Sequence, residues 1–335
     1  MAALRDLGHD VVVVARGNEG YVADSVRAMG VPYHGIRMKG LKDILFLRRL
    51  VRSQKIEIIH SNLDRADYVG LLVGRLTGIP VVSTMMVPRC HPACRFMDKI
   101  AVLSNKQRDI LLGKGIPPAK IEVIRPGIDI ERFSHPDPLR REQWKKRTAT
   151  DDFDVIFCHI SSMLPRKAHR ISLELLQACR ERGVKPLLFI IGDPLESDYV
   201  ASLKEIIARN GLDSNVVFTG WTRDVPEILS LSHFTVLPSA DEALGVVLME
   251  GMAAGTPIIA RNGEGGAELV DVYETGFLFR EQEGVAPLAE HIITLRRDQA
   301  RYNALSGKCR ETAESEFSMA GFGNNLHRLY VQAGN

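Results

Sequence analysis

The 335 residues amount to about two domains at the roughly 100–200 residues typical of one, so a single small module is excluded. With 45% hydrophobic and 25% charged residues the composition is that of an ordinary globular chain, neither disordered nor fibrous, and no apolar run approaches the roughly twenty residues a membrane span needs. The net charge of +2 conceals an asymmetry, because residues 1–150 carry 26 Lys and Arg against 15 Asp and Glu while the remainder carries 17 against 26. A basic half of this kind either meets an anionic partner, such as a membrane surface, a phosphorylated acceptor or nucleic acid, or complements an acidic neighbouring domain.

The N-terminus lacks the basic stretch, apolar run and small-residue cleavage site of a secretory signal, and the five cysteines are odd in number and scattered. Both features lead us to expect a soluble protein with reduced thiols, at work in the cytoplasm. The close pair Cys90 and Cys94 has no second Cys or His pair nearby, so no bound metal is expected.

In the first half, short apolar runs at 11–15, 56–60, 81–84, 100–103 and 121–124 alternate with helical patterns at 21–29, 44–53, 65–77 and 106–114. This is the grammar of a parallel sheet joined by crossover helices. Residues 134–150 carry Pro136, Pro138 and a charge cluster without a strand pattern, and read as a linker at 136–150. The grammar then resumes, with strands at 155–160, 187–191, 216–219, 234–237 and 257–260, and helices at 170–182, 201–210, 224–230, 246–254 and 286–300. The expected fold is α/β: two tandem doubly wound, Rossmann-like domains facing a cleft, covering 1–135 and 151–317. In such folds ligands sit at the carboxyl ends of the strands.

The most informative segment is 238–257, where a strand passes through a polar loop containing Glu242 into an apolar helix whose single ionisable residue is Glu250. A buried carboxylate must be met by something, either an internal ion pair or a ligand such as a ribose diol, whose two hydroxyls one carboxylate can accept together. Gly245 opens that helix, where free backbone amides favour a phosphate, and the Gly-rich stretch 262–268 could present further amides. That stretch is not a dinucleotide fingerprint, because its last position is Glu268. After the strand 155–160, the loop with Arg166, Lys167, His169 and Arg170 is either a solvated basic loop or a source of cations for a departing diphosphate.

At this point the residues resemble a family, the retaining nucleotide-sugar glycosyltransferases of GT-B fold marked by Glu-x7-Glu. Glu242 and Glu250 have that spacing, within Pro-Ser-x-x-Glu-x-x-Gly-x-x-x-x-Glu-x-Met-Ala-x-Gly-x-Pro. Leu7-Gly-His9, His60, Gly78-Ile-Pro80, Pro126-Gly127-Ile-Asp129 and Val217-Phe-Thr-Gly220 are supporting matches over nearly the whole chain. The resemblance implies a donor, UDP- or GDP-linked, held by the second domain as a co-substrate, with no cofactor or metal. It implies Glu250 on the ribose hydroxyls, Leu244, Gly245, Val246 and Gly220 around the donor, and Glu242, Lys167 and Arg166 at the reacting sugar and diphosphate. A last helix, 318–335, is expected to cross back onto the first domain.

Three departures accompany it. The chain starts inside what is usually the first helix, so the first strand of the N-terminal domain is expected to be missing. Ser161 and Ser162 stand where an arginine is expected, with Arg166 as a substitute, and Met85 and Met86 stand where a histidine is expected, with His60 and His91 as replacements. The function expected is transfer of a hexose, with retention, to a saccharide or lipid-linked acceptor in lipopolysaccharide or envelope polysaccharide assembly; the alternative is a catalytically impaired protein that binds nucleotide sugar or a partner without turnover. Residues 39–55 interleave basic and apolar residues at helical spacing, which suits an anionic membrane surface and a peripheral position on the inner face of the membrane. Nucleic acid is disfavoured, since the basic half has few aromatics among its charges and no helix-turn-helix pattern.

Overall fold

The computed structural model describes residues 1–38 and 40–334, so Lys39, the first residue of the basic stretch, lies outside the described residues. The chain divides into two compact units, Met1–Gly127 with Met319–Asn335, and Ile128–Ser318.

The first unit carries strands β1 (Val13–Arg16), β2 (Tyr33–Ile36), β3 (Ile59–Asn62), β4 (Val81–Met85), β5 (Lys99–Val102) and β6 (Ile121–Val123). All their pairings are parallel, β1 with β2 in one sheet and β3-β4-β5-β6 in another. Alternation along a strand sends neighbours to opposite faces. Val81, Ile100 and Val102 thus join Met97 and Leu111 in one core, and Val82 and Ala101 join Leu4, Leu326 and Leu329 in the other. The last two come from the helix Met319–Gly334, which therefore packs in the first unit.

The second unit holds β7 (Val155–Ile160), β8 (Pro186–Ile191), β9 (Val216–Gly220), β10 (Phe234–Leu237), β11 (Ile258–Arg261) and β12 (Gly276–Phe279). They form one parallel sheet in the order β12-β11-β10-β7-β8-β9. The winding reverses between β7 and β10, and a crevice opens at the carboxyl ends of strands at such a switch point.

Two boundaries differ from expectation. Residues 136–150 are not a linker, because Pro138–Thr148 is a helix of the second unit, capped by Asp137, which accepts from the amides of Leu139 (2.9 Å) and Arg140 (3.3 Å). Its Trp144 is buried, with Nε1 donating to Asp224 at 3.1 Å. Proline suits the first helical position as well as a loop, and the charge cluster is that helix's solvated face. The division falls at Gly127 rather than residue 135, because the helix Ile130–Ser134 packs on Val246–Ala253, with the Ser134 hydroxyl donating to the Ala253 carbonyl at 3.3 Å. The single helix expected at 286–300 is two, Ala286–Arg297 and Gln299–Glu316, since Asp298 caps the second by accepting from the Arg301 amide at 3.0 Å. Strands β2 (Tyr-His-Gly-Ile) and β12 (Gly-Phe-Leu-Phe) were not expected: each carries a glycine, a residue depleted in strands, and β2 has no apolar run.

The helix Val246–Ala253 lies close on the sheet at Gly251, where a Cβ would stand 2.2 Å from Thr235 Oγ1 and 2.9 Å from Thr256 Oγ1. Gly251→Ala is expected to lower stability by about 2–3 kcal/mol through overpacking, read from the urea midpoint. Gly307→Ala, within Gln299–Glu316 with nothing near its Cβ, should instead raise stability by about 0.5–1 kcal/mol.

Candidate functional site

The loops that leave β7 and β10 run side by side because those strands are neighbours at the switch point. The first loop turns through Pro165–Lys167, and the Ala240 amide of the second donates to the Arg166 carbonyl at 2.8 Å. Lys167 Nζ then donates to Glu242 Oε2 at 2.6 Å, with the two side chains 14% and 17% exposed. Lys167 is thus no freely solvated cation. The Arg166 side chain is exposed, and the hydrogen bond that joins Arg166 to the second loop is made by its carbonyl.

The backbone of Glu242 is gripped on both sides. Its amide donates to Glu264 Oε2 at 3.0 Å, and its carbonyl accepts from the Gly265 amide at 3.0 Å. A Cβ at position 265 would stand 1.8 Å from the Ala243 carbonyl oxygen, so only glycine allows this approach. Gly265 therefore commits its amide to Glu242, which takes that amide out of those the 262–268 stretch could present to a ligand.

The helix Val246–Ala253 opens at Gly245 in the left-handed region, at φ +83°. Leu244 is fully buried, so its backbone rather than its side chain is what a ligand there could meet, whereas Val246 is part-exposed. Gly220 lies apart from this group, at the end of the edge strand β9, two strands from β7.

Glu250 stands on that helix with no hydrogen bond or ion pair to its carboxyl among the described residues, so the internal salt bridge is not what meets it. Burial lifts the carboxyl to about 7, opposed by the charge of Arg132 on the helix Ile130–Ser134. Arg132 and Glu264 are site residues that sequence reasoning missed, because only the fold brings them near Glu250 and Glu242.

Beneath the first loop, Ser161 Oγ lies 3.1 Å from His159 Nε2 and 3.2 Å from His169 Nε2, and the two rings stack at 4.0 Å. His159 Nδ1 reaches Ser172 Oγ at 2.9 Å, and the His169 amide donates to the Tyr199 hydroxyl at 3.1 Å. Burial, then the charge of Lys167, holds His169 down at about 4, and burial, then His169, holds His159 well below its ordinary value. Ser161, at the place of the expected arginine, is thus turned inward onto two neutral imidazoles. The spacing of His159, Ser161 and His169 across one strand–loop–helix junction was the available signal.

In the first unit, His60 is held between the Tyr330 hydroxyl (2.5 Å) and Thr84 Oγ1 (2.7 Å), and burial lowers it to about 4. His91 Nε2 donates to buried Asp67 at 2.7 Å, and Asp67 also accepts from Ser83 at 2.8 Å and from Ser61. Both histidines are tied into their own unit.

A six-stranded parallel sheet wound about β7 and β10, with Lys167, Glu242 and glycine turns on the loops at the carboxyl ends and Glu250 on the helix that follows, is a doubly wound unit with a candidate ligand site at its switch point, and comparison with known proteins gives its class. The chain belongs to the group 1 glycosyl transferases, whose family model matches residues 140–314, and residues 1–127 match the glycosyl transferase 4-like domain. It is similar to the Escherichia coli UDP-Gal:alpha-D-GlcNAc-diphosphoundecaprenol alpha-1,3-galactosyltransferase, 25% identical over 93% of this chain and 85% of that protein. It is also similar to the Mycobacterium tuberculosis GDP-mannose-dependent alpha-(1-6)-phosphatidylinositol monomannoside mannosyltransferase, 28% identical over 66% of this chain and 58% of that one. The fold matches that of Anabaena HepE, solved in complex with UDP, at a TM-score of 0.83 and 20% identity, over 94% of this chain and 90% of that one.

Proposed function

We propose that this glycosyltransferase takes a hexose from a UDP- or GDP-linked donor bound by its second unit and transfers it, with retention, to a saccharide or lipid-linked acceptor in envelope polysaccharide or lipopolysaccharide assembly. The observation that carries the donor site is Glu250, a part-buried carboxyl that makes no hydrogen bond or ion pair among the described residues. Such a group awaits a ligand, and a ribose diol fits it. Lys167 neutralises the diphosphate as it departs, with Gly245 and the opening of the helix Val246–Ala253 beside it, and no metal enters the scheme.

The acceptor class rests on the lipid-linked substrates in the relatives' names and on the helix Leu41–Ser53. Leu41, Leu45 and Phe46 are exposed there beside Lys42, Arg49 and Arg52, the composition of a helix that lies on an anionic bilayer. No described helix is long and apolar enough to cross a membrane.

The test is calorimetric titration with UDP, GDP and ADP, followed by transfer assays with hexose donors of the base that binds and NMR of the product's anomeric proton. Binding of one nucleotide with transfer to a lipid-linked acceptor supports the reading, and an inverted product removes retention from it. Donor binding without turnover would favour an impaired transferase, the reading to which the inward-turned Ser161 lends support.

A further inference from the structure

The salt bridge between Lys167 and Glu242 poses a problem for the donor site of the proposed function, on which this inference rests. An ammonium already neutralised at 2.6 Å by a carboxylate is a poor anion receptor, and that carboxylate repels a diphosphate brought to the same place. The geometry shows which parts can move. The backbones of both residues are pinned, through Arg166 to Ala240 on one side and through Glu242 to Glu264 and Gly265 on the other. Only the side chains are free to part.

We infer that Glu242 occupies, in the donor-free protein, the place on Lys167 that the diphosphate takes, and that donor binding exchanges the partner of Lys167. The displaced carboxylate then needs new hydrogen-bond donors, because it is only 17% exposed and loses its cation. A nucleotide sugar brings them as hexose hydroxyls, whereas the nucleoside diphosphate left after transfer does not. The exchange therefore sets the site against its own product: Glu242 returns to Lys167 when the hexose has gone, and the nucleoside diphosphate is expelled. No bond is made or broken in this step, and the coupling is between two ligands of one cation.

Calorimetric titration of the full chain with UDP, GDP, UDP-glucose and GDP-mannose tests it, on the wild type and on Glu242→Gln, which keeps the shape and removes the charge. The expected result is that Glu242→Gln binds the nucleoside diphosphate about 5–10-fold more tightly than the wild type, the effect of deleting one nearby like charge, while affinity for the matching nucleotide sugar rises no more than about twofold. Nucleoside diphosphate affinity that is unchanged or weakened in Glu242→Gln overturns the exchange and leaves the donor site standing. Should Glu242→Gln melt early, Glu242→Ala is read by the same comparison. If the folded wild type and both variants bind none of the four nucleotides, the donor-site reading falls, and the exchange with it.

Discussion

Lys167→Ala is expected to weaken nucleotide-sugar binding by about 100-fold or more. Two effects add. The diphosphate loses its charge-assisted partner, and Glu242 is left partly buried without its cation, so that a negative charge remains where the ligand's own must go. Arg166→Ala is the control, because its side chain is exposed and the bond that joins the two loops comes from its backbone carbonyl. It should change affinity by less than about threefold, as a solvated charge near a site does. Titration of the two variants side by side decides between the two cations that the sequence offers, and equal losses would show that the loop acts by charge alone.

Glu250→Ala should weaken binding of the same ligand by about 100-fold, the worth of two hydrogen bonds to a charged acceptor. The pH dependence is the sharper test. Burial holds the folded carboxyl at about 7, above its ordinary value of 4.5, so at pH 6 about a tenth of the free protein has Glu250 ionised and at pH 8 about nine-tenths. Only the ionised form accepts from both ribose hydroxyls, so affinity should rise about tenfold from pH 6 to pH 8. A nucleotide sugar is the right ligand, because its diphosphate, esterified at both ends, does not titrate in that range. The donor-free protein moves the other way: the unfolded chain loses this proton near 4.5 and the folded one near 7, so the group's contribution to stability is present below 4.5 and lost as pH rises through 7. In Glu250→Gln both dependences should vanish, and a pH profile of binding unchanged in that variant would take the ribose away from Glu250.

The amino-acid sequence by itself determined the alternation of apolar runs and helical patterns, and with it two parallel-sheet units. Those signals are local: Pro186–Ile191 is apolar throughout and Val155–Ile160 is apolar but for His159, because parallel strands are covered on both faces, and such runs read the same in any register. The spacing of Glu242 and Glu250 was local too, carried by one strand–loop–helix unit. Tertiary structure alone decided what those carboxylates meet. Lys167 reaches Glu242 because β10 pairs with β7 rather than with its sequence neighbour β9, and strand order is not written in periodicity. Arg132 approaches Glu250, and Glu264 holds the Glu242 amide, through packing of elements that no motif connects. The segment 136–150 shows the converse limit: proline and clustered charge fit a linker and a capped helix equally well, and the burial of Trp144 against Asp224 selected the helix.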